Sequence, residues 1–122
     1  MTPAFATTIA SDAVPAATAF PDWPCGWYVA ARAEQLGRQP LTIDLFGRRL
    51  VGYRTTNGQP IVMDAQCWHL GADLTRGYVN GEQIVCPFHG WRYGADGRCQ
   101  LIPTQADIPR GARQQTFCTA ER

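Results

Sequence analysis

Cys67, His69, Cys86 and His89 are the residues of this chain best able to do chemistry together. They come as two mixed pairs, Cys67-Trp68-His69 and Cys86-Pro87-Phe88-His89, separated by residues 70–85. Thiolate and neutral imidazole are both good donors to transition metals, and each short segment offers one of each. The pattern predicts a metal site.

Two cysteines and two histidines can hold a tetrahedral zinc, but structural zinc sites usually pair like with like, a Cys-Cys knuckle and a His-His turn. Mixed pairs suit a [2Fe-2S] cluster in which one iron takes both thiolates and the other both imidazoles, each loop giving one ligand to each iron. At these residues the chain resembles the Rieske family, whose motif is Cys-x-His, a spacer of similar length, then Cys-x-x-His, with glycines following each histidine. Gly71, Pro87, Gly90 and Trp91 complete the likeness. The resemblance implies a Rieske-type [2Fe-2S] cluster held by Cys67, His69, Cys86 and His89. Two ferric ions, two sulfides and two thiolates sum to no formal charge, whereas four thiolates would leave the centre doubly negative. Reduction of the mixed centre is therefore easier. A ferric neighbour also depresses an imidazole pKa, which links reduction to pH.

High-potential members of the family carry an extra cysteine in each loop, joined as a disulfide, and a serine hydroxyl against a sulfide. The corresponding positions here are Ala72, Phe88 and Trp91. The likeness then implies a potential toward the low end of the Rieske range, near roughly −150 mV. Tyr93 remains as a donor to a cysteine sulfur.

The elements that must position these residues read as strands. Trp27 to Arg32 alternates, with Trp27, Val29 and Ala31 expected on one side. Ala33 to Leu36 reads as one helical turn, ended by Gly37 and blocked by Pro40. Strands are expected at 41–45, 48–55, 59–64, 83–86, 91–93 and 98–102. Phe46-Gly47, Asn57-Gly58, Asn80-Gly81 and Asp96-Gly97 punctuate them, the last three of the type that favours two-residue hairpins. No segment has the period of an amphipathic helix. The expectation is an all-β fold, a Rieske-type antiparallel β sandwich or small barrel with the cluster between two hairpin loops. Residues 1–20, rich in Ala and Thr, read as a flexible N-terminal tail, and residues 21–122 as one domain.

Composition narrows the function. The net charge is +1 and all 11 basic residues are arginines without a block, so neither nucleic acid nor a membrane surface is an expected partner. No apolar run approaches the roughly 20 residues of a spanning helix. The N-terminus lacks the basic start and apolar core of a signal peptide, and a cytoplasmic location is expected. Of five cysteines, Cys25, Cys99 and Cys118 are left after the cluster pair and read as small half-buried hydrophobes.

Further segments are similar to the N-terminal domain of Rieske non-haem iron oxygenase α subunits. They are Gly26-Trp27-Tyr28-Val29, Gly71-Ala72-Asp73-Leu74 with Gly77-Tyr78-Val79, Gly90-Trp91-Arg92-Tyr93, Asp96-Gly97-Arg98-Cys99 and Ile102-Pro103. The wording is most similar to the branch of 3-ketosteroid 9α-hydroxylase and cholesterol 7-desaturase, although Trp68 replaces the small residue, Pro or Arg expected there. The likeness implies an electron-input domain that takes electrons from a ferredoxin or flavin reductase. The acceptor would be a non-haem iron catalytic domain, in a homotrimer. His69 or His89 would be the exit for the electron, and Arg76, Arg92 and Arg98 would dock the donor or simply be solvated. Family catalytic domains hold iron with two histidines and a carboxylate. Both histidines of this chain belong to the cluster, so it lacks that second site. The chain stops about where such a domain would begin, which reads as a split component, a truncated product or an excised domain. A free-standing Rieske-type ferredoxin and a structural zinc module are the alternatives.

Overall fold

Short runs of β-branched and aromatic residues, cut every few positions by glycine-containing turns, favour strands that pair with their neighbours in sequence. The computed structural model describes residues 6–10, 26–45 and 47–121, and for 6–10 the backbone only. It is nearly all β. The strands are β1 (Ala6–Ala10), β2 (Trp27–Arg32), β3 (Leu41–Leu45), β4 (Arg48–Arg54), β5 (Pro60–Asp64) and β6 (Tyr78–Asn80). They continue as β7 (Gln83–Val85), β8 (Arg92–Tyr93), β9 (Cys99–Leu101), β10 (Thr116–Phe117) and β11 (Thr119–Glu121). The helical elements among the described residues are two single 3-10 turns, Ala33–Gln35 and Leu74–Arg76.

These strands form antiparallel sheets in the orders β11-β1-β2, β10-β5-β4-β3 and β6-β7-β8-β9. The β4-β5 pair is apolar on both faces, as strands packed between two layers must be. Val51, Tyr53, Ile61 and Met63 join Leu74, Ile84, Trp91 and Tyr93 in one core cluster. Leu50 and Val62, from the alternate positions, join Ala31, Ile43 and Phe117 in the other. The first cluster also contains Cys67 and Cys86, so the loops that carry the chemistry grow directly out of the main core. Tyr53 crosses this layer, its hydroxyl donating to the carbonyl of Glu82 in the β6-β7 turn at 3.1 Å.

Several local expectations need correcting. Ala6–Ala10 pairs with β2 and β11, inside the stretch read as a tail. Its Thr-Thr-Ile run has the stiffness that favours a strand, and only partners from residues 27–32 and 119–121 make that preference count. The rest of 1–20, the 21–24 segment and Cys25 lie outside the described residues. In β2 the pairing shifts between Thr7 and Thr8, opposite Ala31 and Val29. Ala30 is the extra residue of a bulge, and a bulge reverses the faces on either side of it. Ala31 is accordingly buried while Trp27 and Val29 are exposed, not all three on one side.

The turns differ as well. Thr55 N–H bonds the Gln59 carbonyl and Gly58 N–H the Thr55 carbonyl, and Gly94, Arg98 and Gly97 repeat this arrangement. Both are three-residue loops with glycine last, at φ +86° in each, the geometry of a type I turn followed by a left-handed residue. Leu45 pairs with Arg48 in one hairpin, and in another a two-residue loop at 81–82 joins Asn80 and Gln83. The central pair of the latter is Gly81-Glu82, not Asn80-Gly81. Short strands β6, β10 and β11 were not expected from their sequence. Cys118 is exposed rather than half-buried, and Cys99 is buried.

Tyr53→Phe tests the inter-sheet bond. It is expected to lower unfolding stability by about 1 kcal/mol, read as a lower urea midpoint at unchanged slope.

Candidate metal centre

Two loops leave the main core side by side. The first, Cys67 to Ala72, follows β5, and the second, Cys86 to Trp91, joins β7 to β8. Their backbones close in the same way. Cys67 N–H donates to the Ala72 carbonyl and Gly71 N–H to the Cys67 carbonyl, each at 2.8 Å. Cys86 N–H donates to the Trp91 carbonyl at 2.8 Å and Gly90 N–H to the Cys86 carbonyl at 3.1 Å. Both loops therefore run Cys-x-x-x-Gly-x between fixed ends, with Gly71 at φ +76° and Gly90 at φ +74°. That left-handed turn is what glycine supplies here. His69 and His89 project from the interior of the two loops.

The closure sorts the donors by depth. Cys67 and Cys86 are 3% and 4% exposed, His69 is half-buried and His89 exposed. The imidazole rings face one another with centroids 5.2 Å apart. The thiols are also neighbours: burial pushes the Cys86 thiol up, the Phe88 and His89 amides pull it down, and Cys67 beside it adds to the rise. The four residues singled out in the sequence thus fall into a buried thiol pair and an outer imidazole pair. Among the described residues, no group of three or more His, Cys, Asp or Glu side chains is arranged to hold a metal ion. The donor chemistry fits a two-metal group that takes sulfur from one side and nitrogen from the other.

Surrounding side chains fix this arrangement. Tyr93 Oη lies 3.0 Å from Cys67 Sγ. Burial, then the bond to Cys67, pushes the phenol far above its ordinary range, so Tyr93 stays protonated and is able to donate to a thiolate at Cys67. Trp91, 5% exposed, stacks on His69 with centroids 4.1 Å apart and planes 10° from parallel. Phe88 packs against His89 at 4.1 Å. The Tyr93 contact was expected from sequence, whereas the Trp91 stack was not, since nothing in the spacing of residues 69 and 91 indicates it. Gln114, 2% exposed, also reaches the first loop through its side chain. A lone glutamine in a polar stretch carries no signal for this.

Asp73 closes the base of the first loop. Gln66 and Asp73 form an isolated antiparallel bridge, and the Asp73 carboxylate caps the Leu74–Arg76 turn by accepting from Thr75 N–H at 3.0 Å and Thr75 Oγ1 at 2.7 Å. Arg49 is 3.0 Å away and Arg76 3.9 Å. Burial alone would raise this carboxyl, but the Thr75 bonds and the two arginines outweigh it and hold the pKa below the ordinary carboxylate value. Of the other arginines, Arg92 has a buried Nε without a hydrogen-bond partner among the described residues, so it is not a simple surface cation. Arg98 is exposed.

Residues 26–114 match the profile of the Rieske [2Fe-2S] domain family. The chain is 48% identical over 103 residues to aminopyrrolnitrin oxygenase PrnD of Pseudomonas fluorescens, covering 79% of this chain and 28% of that protein. It is 38% identical over 106 residues to the oxygenase component of 3-ketosteroid-9-alpha-monooxygenase from Mycolicibacterium smegmatis, covering 85% of this chain and 28% of that protein. The structure superposes on dicamba monooxygenase with a TM-score of 0.73 at 29% identity, over 76% of this chain and 29% of that one. The chain spans little more than a quarter of the length of these relatives.

Asp73→Ala is expected to cost about 1 kcal/mol near neutral pH through loss of the cap. Because the folded-state pKa of Asp73 is lowered, its contribution is present above the ordinary carboxylate pKa and is lost as pH falls through the lowered folded value. Parent and variant stabilities measured by urea unfolding should therefore converge in acid.

Proposed function

The chain belongs to the Rieske [2Fe-2S] domain family and carries a Rieske-type cluster, and on that premise we propose that it is the electron-input domain of a Rieske non-haem iron oxygenase. When bound, the cluster supplies one-electron transfer. In this reading Cys67 and Cys86 hold one iron and His69 and His89 the other. The observation that carries the reading is the depth gradient, with thiols inside the core and imidazoles at its rim.

The chain's residues divide the work. Tyr93 donates to the Cys67 sulfur, and Phe88 and His89 N–H groups donate to that of Cys86. These bonds compensate negative charge on sulfur and so favour the reduced state. Trp91 holds the His69 ring from behind. His89, exposed between the loop tips, is the edge through which the electron leaves. Trp68 and Leu70 of the first loop and Phe88 beside His89 are 45%, 63% and 64% exposed. This apolar rim suits a partner that excludes water from the transfer path, in our reading a catalytic domain contributed by a neighbouring subunit of a trimer.

A reductase or ferredoxin would supply the electron. Arg98, Arg110 and Arg113 line a surface cleft of about 400 Å³, beside the segment where a Cβ on Gly111 would stand 3.5 Å from the Trp68 ring. Three cations next to the cluster loop favour an acidic donor. The substrate, bound by the catalytic domain, would be hydrophobic and steroid-like or aromatic, as the names of the relatives suggest. A cytoplasmic location is part of this proposal.

Anaerobic reconstitution should give iron and acid-labile sulfide in equal amounts and, on reduction, the low average g value of a Rieske centre. His69→Ala and His89→Ala should each abolish that signal, and its retention in either would sink the ligand assignment. A colourless protein holding one zinc ion would sink the whole reading. Tyr93→Phe, which removes the donor to Cys67 and little volume, is expected to lower the midpoint potential in voltammetry. An unchanged or higher value would count against the role given to the hydroxyl.

A further inference from the structure

The two loops match in their closing bonds but differ in the residue after the cysteine. In the second loop this is Pro87, whose ring fixes φ and which has no N–H to satisfy. In the first it is Trp68, whose N–H lies within the loop and needs an acceptor. Gln114 provides one: Trp68 N–H donates to its Oε1 at 2.6 Å. The same side chain donates from Nε2 to the carbonyls of Asp64 at 2.9 Å and Gln66 at 2.8 Å.

Gln114 is one of two buried polar residues among those described, with Thr55. A buried amide is costly unless bonded. Here one acceptor and both donors are used, which fixes which end of the amide points where. Its backbone is held too. Gln114 N–H donates to the Gly97 carbonyl at 2.7 Å, and the next carbonyl, of Gln115, accepts from Asp64 N–H at 2.9 Å. The side chain is thus a fixed bracket rather than a follower of the loop. It touches the chain before Cys67 and between Cys67 and His69.

We infer that Gln114 is a positioning residue for the cluster, doing for the first loop by hydrogen bonding what Pro87 does for the second by its ring. It touches no ligand side chain and acts through the backbone that carries two of them. The inference rests on the proposed assignment of Cys67 and His69 as ligands.

The test uses the cluster-loaded protein. Gln114→Met, similar in length and without these polar atoms, should speed hydrogen exchange of the Trp68 amide roughly tenfold, the loss of one buried bond. It should also release iron to a chelator faster and shift the g values of the reduced centre. Val62→Ala, in the other core cluster, controls for plain destabilisation. It should lower the melting temperature while leaving native-state Trp68 exchange and the g values as in the parent. Parent-like Trp68 exchange and g values in Gln114→Met, or the same changes in Val62→Ala, would overturn the inference. If Gln114→Met does not fold, Gln114→Glu carries the test. It keeps the acceptor for Trp68 but sets a carboxylate oxygen against two carbonyls, and should show faster iron release and shifted g values. Parent-like behaviour there overturns the inference as well. A parent that takes up no iron and sulfide would defeat the functional reading instead, with Trp68 exchange still readable in the apoprotein.

Discussion

Two pairs of backbone hydrogen bonds, one closing each loop from cysteine to the residue after glycine, are the constraint on which the rest of this structure depends. Each pair satisfies the amide and carbonyl of a buried cysteine within a few residues. Neither cysteine could sit in an apolar core if its main chain were left unbonded. The closure also leaves the middle of each loop without strand partners and largely exposed, and that is where the histidines stand. One local device therefore buries sulfur and exposes nitrogen.

This separation matters for electron transfer. The thiols lie among Met63, Ile84 and Tyr93, where the low dielectric strengthens every bond to sulfur and keeps water away. The imidazoles lie at the surface, where a partner can approach them. Their freedom is limited by aromatic contacts, Trp91 on His69 and Phe88 on His89. Rigid surroundings on the buried side and an accessible edge on the other suit a group that changes charge without changing its ligands.

The core beneath the loops is shared between sheets. β4 and β5 place alternate residues into two clusters, so the strand that launches the first loop is packed on both faces. The second loop belongs to a different sheet, and the distance between the loops is set by how the two sheets meet, with Tyr53 bonded across them. The last part of the chain completes the frame. Residues 112–115 bond to Cys99, Gly97 and Asp64 before β10 joins the edge of β5.

The family and most strands were legible in the sequence, because they follow from interactions a few residues apart. Cys-x-His and Cys-x-x-His spacing, glycine after each histidine, and alternation along 27–32, 41–45 and 48–54 are local facts. The face of β2 was not legible, since the bulge at Ala30 is imposed by its pairing with β1. A Thr-Thr-Ile run at 7–9 becomes a strand only where two distant strands receive it. The stack of Trp91 on His69 and the reach of Gln114 to Trp68 span 22 and 46 residues of chain, and no short-range period encodes them. By itself the sequence determined the family and which donor atoms the two loops carry. The tertiary structure decided their depth and what holds them, because burial and long-range hydrogen bonds exist only once separate sheets have packed together.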